Sequence, residues 1–260
     1  MAALPLSRSR KEIEAELPGR IRIILQPGEE AVDEAGKSGA SRMIDAGSLD
    51  GVSAIIGVHL DTTAPANKVG IVAGAVMPAV QDFVIKLDDT TGDDRDTPVT
   101  CAKIVLALDQ LGRQAPGGLE EYGISVTSIH TANDCLHTKA GQAVITGKLK
   151  TYNAKKDEQI QSQMRKICPD ATVVFHHSLP ETVNNPLLTE IMHKAAVELI
   201  GASNVLSINR RSWAAEFALY TQFVPGAFMF LGVEIPSSRR GHHSPTYQRR
   251  MLVRWRCHFG

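Results

Sequence analysis

The chain has 260 residues, 43% of them apolar, which is enough for one large or two smaller hydrophobic cores. Its 28 Lys and Arg balance 28 Asp and Glu, and a formal charge of zero argues against a nucleic-acid partner, whose phosphates demand a basic face. Four Cys, at 101, 135, 168 and 257, make neither a CxxC pair nor a disulfide framework, and no apolar run approaches the length of a membrane span or a signal-peptide core. A soluble cytoplasmic protein is expected.

The first informative segment is the apolar run Ile21-Arg22-Ile23-Ile24-Leu25, read as a buried strand, followed directly by Gln26-Pro27-Gly28-Glu29-Glu30. Two adjacent carboxylates at a strand exit raise at least one pKa unless a cation or hydrogen-bond donors compensate. The pair therefore points to a metal site, an acid/base pair, or both; a solvated loop is the alternative. Residues 53–58 make a second strand-like run that ends in His59, again an ionisable group where a strand stops.

Residues 82–87 read as a strand, followed by an acidic loop over 88–98 that holds no His. A helix is expected over 97–112, with Val99, Ala102, Val105, Leu106 and Leu108 as its apolar stripe after Pro98. Residues 124–129 and 143–149 read as strands, the second alternating Ala143, Ile145, Gly147 and Leu149 against polar and β-branched neighbours. A helix over 153–168 puts Ile160, Met164 and Ile167 on one face, and 172–176 is a further strand. Strand, helix, strand, strand, helix, strand is the order of a ferredoxin-like unit, here about residues 79–182. Asn185-Pro186 opens a helix with Leu188, Ile191, Met192, Ala195 and Leu199 as its buried face, and Gly201 ends it.

Toward the end of the chain stand Glu216-Phe217-Ala218-Leu219-Tyr220, Val224-Pro225-Gly226-Ala227 and His242-His243-Ser244-Pro245. In order and spacing, these segments resemble the amidohydrolase branch of the zinc carboxypeptidase and aminoacylase family. That branch includes N-acyl-amino-acid amidohydrolases, hippurate hydrolases and plant indoleacetyl-amino-acid hydrolases. The matching stretches are Gln26 to Glu30, Gly39 to Gly47 with Met43, Gly57-Val58-His59, Glu216 to Tyr220, Val224 to Ala227 with Leu231-Gly232, and His243-Ser244-Pro245. The resemblance runs from about residue 17 to about residue 248.

The resemblance implies an α/β, zinc-exopeptidase-like catalytic domain of mixed sheet and flanking helices, made from residues 1–78 and 183–260. A ferredoxin-like lid or dimerisation domain, residues 79–182, is inserted into it. It implies Glu29 as general base, with Glu30, His59 and His243 as ligands of a divalent ion, zinc or manganese. Lys150 and Asn133 fall where the family binds substrate. Carboxylate and imidazole suit such ions, and a bound ion brings the pKa of water toward neutrality.

The departures from the pattern matter as much. The family carries a Cys-Gly-His-Asp motif upstream of its paired Glu, whereas no Cys precedes Cys101 and no His precedes His59 here, as in an N-terminally truncated member. Glu30 and His243 are then expected to share one ion, with His59 almost alone at the other position, so one ion or none is expected rather than a pair. The family's loop His is missing from residues 88–98, and Lys150 stands where an Arg is usual, replacing a planar fork with a point charge. Loss of covering helices at both ends would expose apolar sheet surface. Two functions follow: a metal-dependent amidohydrolase that cleaves an N-acyl amino acid or small peptide, acting as a homodimer through 79–182, or a non-catalytic dimerising relative or fragment that keeps the fold.

Overall fold

In a computed structural model, residues 19–29, 33–88, 96–113, 122–131 and 141–233 are described. They form two four-stranded sheets and a short ribbon. In the first sheet β1 (Ile55–Asp61) runs parallel to β10 (Gly226–Gly232), β10 is antiparallel to β2 (Val69–Gly70), and β2 is parallel to β9 (Val205–Leu206). The ribbon pairs β3 (Gly74–Met77) with β8 (Thr182–Asn184). Helices α1 (Gly39–Asp45) and α5 (Phe217–Tyr220), together with the irregular stretch that leads into α5, close a core of Val76, Met77, Ala215, Phe217, Tyr220, Phe228 and Phe230.

Close approach within this core is set by Gly57, whose missing Cβ leaves room for the Phe217 and Phe228 rings. Phe228 packs tilted against Phe217 at 4.9 Å between centroids and edge-on against Phe230 at 5.4 Å. Asn184 ties the ribbon to β10: its Nδ2 donates to the carbonyls of Val72 and Phe228, and its Oδ1 accepts from the Phe228 N–H at 2.7 Å. A buried amide satisfied on both sides specifies register as well as adding stability.

The second sheet has the order β5-β6-β4-β7, from β4 (Ala79–Asp88), β5 (Tyr122–Thr131), β6 (Gln142–Thr151) and β7 (Thr172–Leu179), with every neighbouring pair antiparallel. With α2 (Thr97–Arg113) and α3 (Ala154–Ile167) this is the expected strand-helix-strand-strand-helix-strand arrangement. Ala143, Ile145, Gly147 and Leu149 face inward as their alternation requires, against Phe83, Ile85, Leu108, Ile160 and Met164. Each fully buried Ile, Leu, Met or Phe contributes about 1.5–3 kcal/mol by leaving water.

Several expectations are corrected. Residues 21–25 are not a strand: Ile21 is 47% and Leu25 70% exposed, and only Ile23 and Ile24 of the run are part-buried. Strand β1 continues two residues past His59 to Asp61, so the imidazole stands within the strand rather than at its end. The buried stripe of α2 is Cys101, Ile104 and Leu108; Val99 and Leu106 are exposed, because the helical period from Leu108 leads back to 104 and 101 rather than to 105 and 102. On α4 (Pro186–Ile200), Thr189 and Met192 are buried with Leu188 packed beside Met192, while Ile191, Ala195 and Leu199 face out. The ends of α4 are as expected, with Asn185 Oδ1 accepting from the Leu188 N–H at 3.1 Å and Gly201 at φ 80°.

Candidate functional site

The segment that carries Glu29 is anchored by a buried carboxylate. Glu216, 6% exposed, accepts from the Gln26 side-chain amide at 2.6 Å and from the Ala40 backbone N–H at 3.0 Å through the same oxygen. The Tyr220 hydroxyl donates to Gln26 Oε1 at 3.0 Å, and burial together with the Glu216 charge pushes its pKa up to about 12. Gly39 opens α1 directly against the Pro27 carbonyl, where any Cβ would collide. Gln26 and Pro27 are thus clamped between α1 and α5, and Glu29 projects beyond them as an exposed carboxylate.

His59 is half-buried on β1, opposite Phe230 of β10. Its Nδ1 lies 2.7 Å from the Leu60 carbonyl oxygen. A carbonyl can only accept, so Nδ1 carries the proton, and in the neutral ring Nε2 keeps the lone pair that a metal or an acid would use. The ring packs on Trp213 at 4.6 Å and Phe228 at 6.3 Å between centroids.

Two residues further along the same strand face, Asp61 is buried and ion-paired with Arg211. Burial alone would raise the Asp61 pKa; the Thr63 hydroxyl at 2.6 Å, the Thr63 N–H at 2.8 Å and the Arg211 charge reverse the sign and hold it below the usual carboxylate range. The Arg211 guanidinium also lies over the Phe230 ring, 4.8 Å from its centroid. Lys150, on β6, donates from Nζ to the Ser212 carbonyl at 2.7 Å; burial, then the neighbouring Lys148 charge, lowers its pKa.

Of the six residues named from sequence, Glu29, His59 and Lys150 are described; Glu30, His243 and Asn133 lie outside the described residues. Lys150 and His59 are joined through the segment 211–213, whereas Glu29 is carried by the separate Glu216 anchor. Sequence reasoning missed Asp61, Arg211, Trp213 and Tyr152. The strand period of two from His59 to Asp61 was a usable signal; nothing in the sequence near Arg211 announces its partner 150 residues away.

As a metal donor, His59 fits by chemistry, since an imidazole whose Nδ1–H is held by a carbonyl is oriented for ligation through Nε2. Among the described residues, no group of three or more His, Cys, Asp or Glu is close enough to hold an ion, so a full donor set is not assembled within them. No described helix is long and apolar enough to cross a membrane.

The family model described as peptidase family M20/M25/M40 matches residues 1–252. An N-acetyl-L-cysteine deacetylase of Bacillus subtilis is 24% identical over 242 residues, covering 86% of this chain and 55% of the deacetylase. An IAA-amino acid hydrolase of Arabidopsis thaliana, ILR1-like 6, is 26% identical over 247 residues, covering 89% of this chain and 52% of the hydrolase. Among solved structures, the Bacillus subtilis YXEP protein, described as a dinuclear metal binding peptidase from the M20 family, superposes with a TM-score of 0.73 at 24% identity, over 87% of this chain and 59% of that one. The likeness shows a shared mixed α/β fold. The chain spans little more than half the length of each of these relatives.

Proposed function

Because the chain belongs to peptidase family M20/M25/M40, we propose that it serves the metal-assisted hydrolysis of the amide bond of an N-acyl amino acid or small peptide. In this reading Glu29 is the general base, and Glu30, His59 and His243 are donors to a zinc or manganese ion. Residues 1–78 and 183–260 make the catalytic domain and 79–182 the lid through which two copies pair. The observation that carries it is the His59 imidazole, whose Nδ1–H is fixed on the Leu60 carbonyl and whose Nε2 is left for a ligand. When bound, such an ion would polarise the amide carbonyl and acidify water.

The chain's own residues divide the remaining work. Glu29, exposed at the end of a clamped segment, takes a proton from water and returns it to the leaving amine. The Lys150 ammonium, on β6, has two N–H donors beyond the one given to Ser212, enough for a substrate carboxylate, with Asn133 as its companion. Relatives named as a deacetylase of an N-acetyl amino acid and a hydrolase of amino-acid conjugates support this substrate class.

A second reading, a non-catalytic relative that pairs through 79–182, is favoured by Lys150 itself. One of its donors is already committed to Ser212, and an ammonium cannot grip a carboxylate with the two-pronged geometry of a guanidinium. The test is metal content by elemental analysis after dialysis against zinc and manganese, paired with ninhydrin-detected release of amino acid from N-acetyl and N-benzoyl substrates. Retained metal with turnover that falls about 10²–10⁴-fold in Glu29→Gln establishes the hydrolase. Neither metal nor turnover establishes the second reading.

A further inference from the structure

Residues 207–216 belong to no strand or helix, so this stretch must be held by bonds to other elements. Those bonds come from both sheets. From β6 of the four-stranded antiparallel sheet Lys150 Nζ donates to the Ser212 carbonyl at 2.7 Å, and from the residue just past its end the Tyr152 hydroxyl donates to the Arg211 carbonyl at 2.6 Å. Arg210 adds its guanidinium over the Tyr152 ring, 5.2 Å from the centroid. From the other side, the Arg211 N–H donates to the Val76 carbonyl at 2.8 Å, its guanidinium pairs with Asp61 and covers Phe230, and Trp213 packs on both His59 and Phe230.

Two consecutive carbonyls of an irregular segment are thus gripped by one sheet, while the side chains of the same segment grip the strand that carries His59. The geometry points to a mechanical coupling: residues 210–213 are a strut through which the placement of the antiparallel sheet sets how the His59 imidazole is packed. Tyr152 and Arg211 are then positioning residues, acting on His59 through Trp213 and Asp61. The coupling does not need His59 to bind metal; its value as a control of the active site rests on the function proposed above.

The experiment measures carbethoxylation of individual histidines by diethyl pyrocarbonate, read by mass spectrometry on the full chain. Exposed His176 and His193 serve as internal references in the same sample. Tyr152→Phe removes one hydroxyl and no bulk, and is expected to speed His59 modification about fivefold, the population shift that follows from losing one hydrogen bond. Arg211→Met is expected to act in the same direction, with His176 and His193 unchanged in both. Trp213 and Trp255 are the chain's only tryptophans, so in a Trp255→Phe background the emission maximum reports Trp213 alone. It should move to the red with Tyr152→Phe.

An unchanged His59 rate, an unmoved maximum, or three histidines that speed up together overturns the strut. Adding zinc to the wild-type chain separates the two proposals. If zinc leaves His59 modification unslowed while Tyr152→Phe accelerates it, the ligand reading fails and the strut stands. Protection by zinc with no response to Tyr152→Phe gives the reverse.

Discussion

At the scale of single residues, Glu216 decides whether the Glu29 segment has a defined place. One oxygen of a nearly fully buried carboxylate accepts hydrogen bonds from a side-chain amide and a backbone N–H, and charge-assisted bonds of this kind are worth more than neutral ones. Truncation in Glu216→Ala leaves the Ala40 N–H without an acceptor in a site that water does not reach freely. The expected loss is about 1.5–3 kcal/mol in urea unfolding, with m unchanged. Glu216→Gln keeps an acceptor oxygen and the same length, and should lose clearly less. Equal losses in the two variants would mean that the charge, rather than the accepted bonds, carries the anchor.

At the scale of elements, the same anchor is a matter of how closely α1 approaches the backbone before Glu29. Gly39 begins the helix where its missing Cβ makes room for the Pro27 carbonyl. Gly39→Ala should therefore destabilise by about 1–3 kcal/mol, as overpacking does in closed sites. It should also speed hydrogen exchange at the Ala40 N–H, because relief of the clash must move α1 off Glu216. Unchanged exchange there would show that the clash relaxes elsewhere. Elements with long regular patterns were the legible ones: the alternation of β6, the Ile160, Met164 and Ile167 stripe of α3 and the Asn185-Pro186 cap of α4 all appear as expected. What failed was phase and pairing. In α2 the apolar residues nearly surround the helix, so the sheet decides which of them turn inward. Residues 21–25 have the composition of a strand, yet Ile21 and Leu25 stay exposed, because composition alone does not bury a run. The contacts that hold the Glu29 and His59 segments were not legible, because they depend on Arg211 reaching Asp61 and Glu216 reaching Gln26 across the fold.

At the scale of the whole molecule, the chain leaves the antiparallel sheet at β7 and enters the ribbon at β8 through Pro180 and Glu181. A cleft there is lined by Ala79 and Asp157 from one side, by Thr221 and Gln222 from the other, and by Glu181 between them. Asp157 is fully engaged, accepting from Gln81 at 2.5 Å and from the Thr151 hydroxyl at 2.5 Å. Glu181 has one buried oxygen, Oε2, that meets no hydrogen-bond donor among the described residues. Burial first, then the Asp157 charge, raises its pKa above the ordinary value of 4.5, against a smaller pull from Arg210. The sign follows from linkage: a carboxyl whose folded pKa is raised is fully compatible with the fold below its unfolded pKa, and stability is lost as pH rises from there through the folded value. Glu181→Gln cannot ionise, so it should match the wild type near pH 4, melt at a higher temperature at pH 7, and show a gap that opens between the two and then stays constant. Thermal unfolding of both chains across that range checks it, and a gap that is already present at pH 4 would place the effect in amide bonding rather than in the charge.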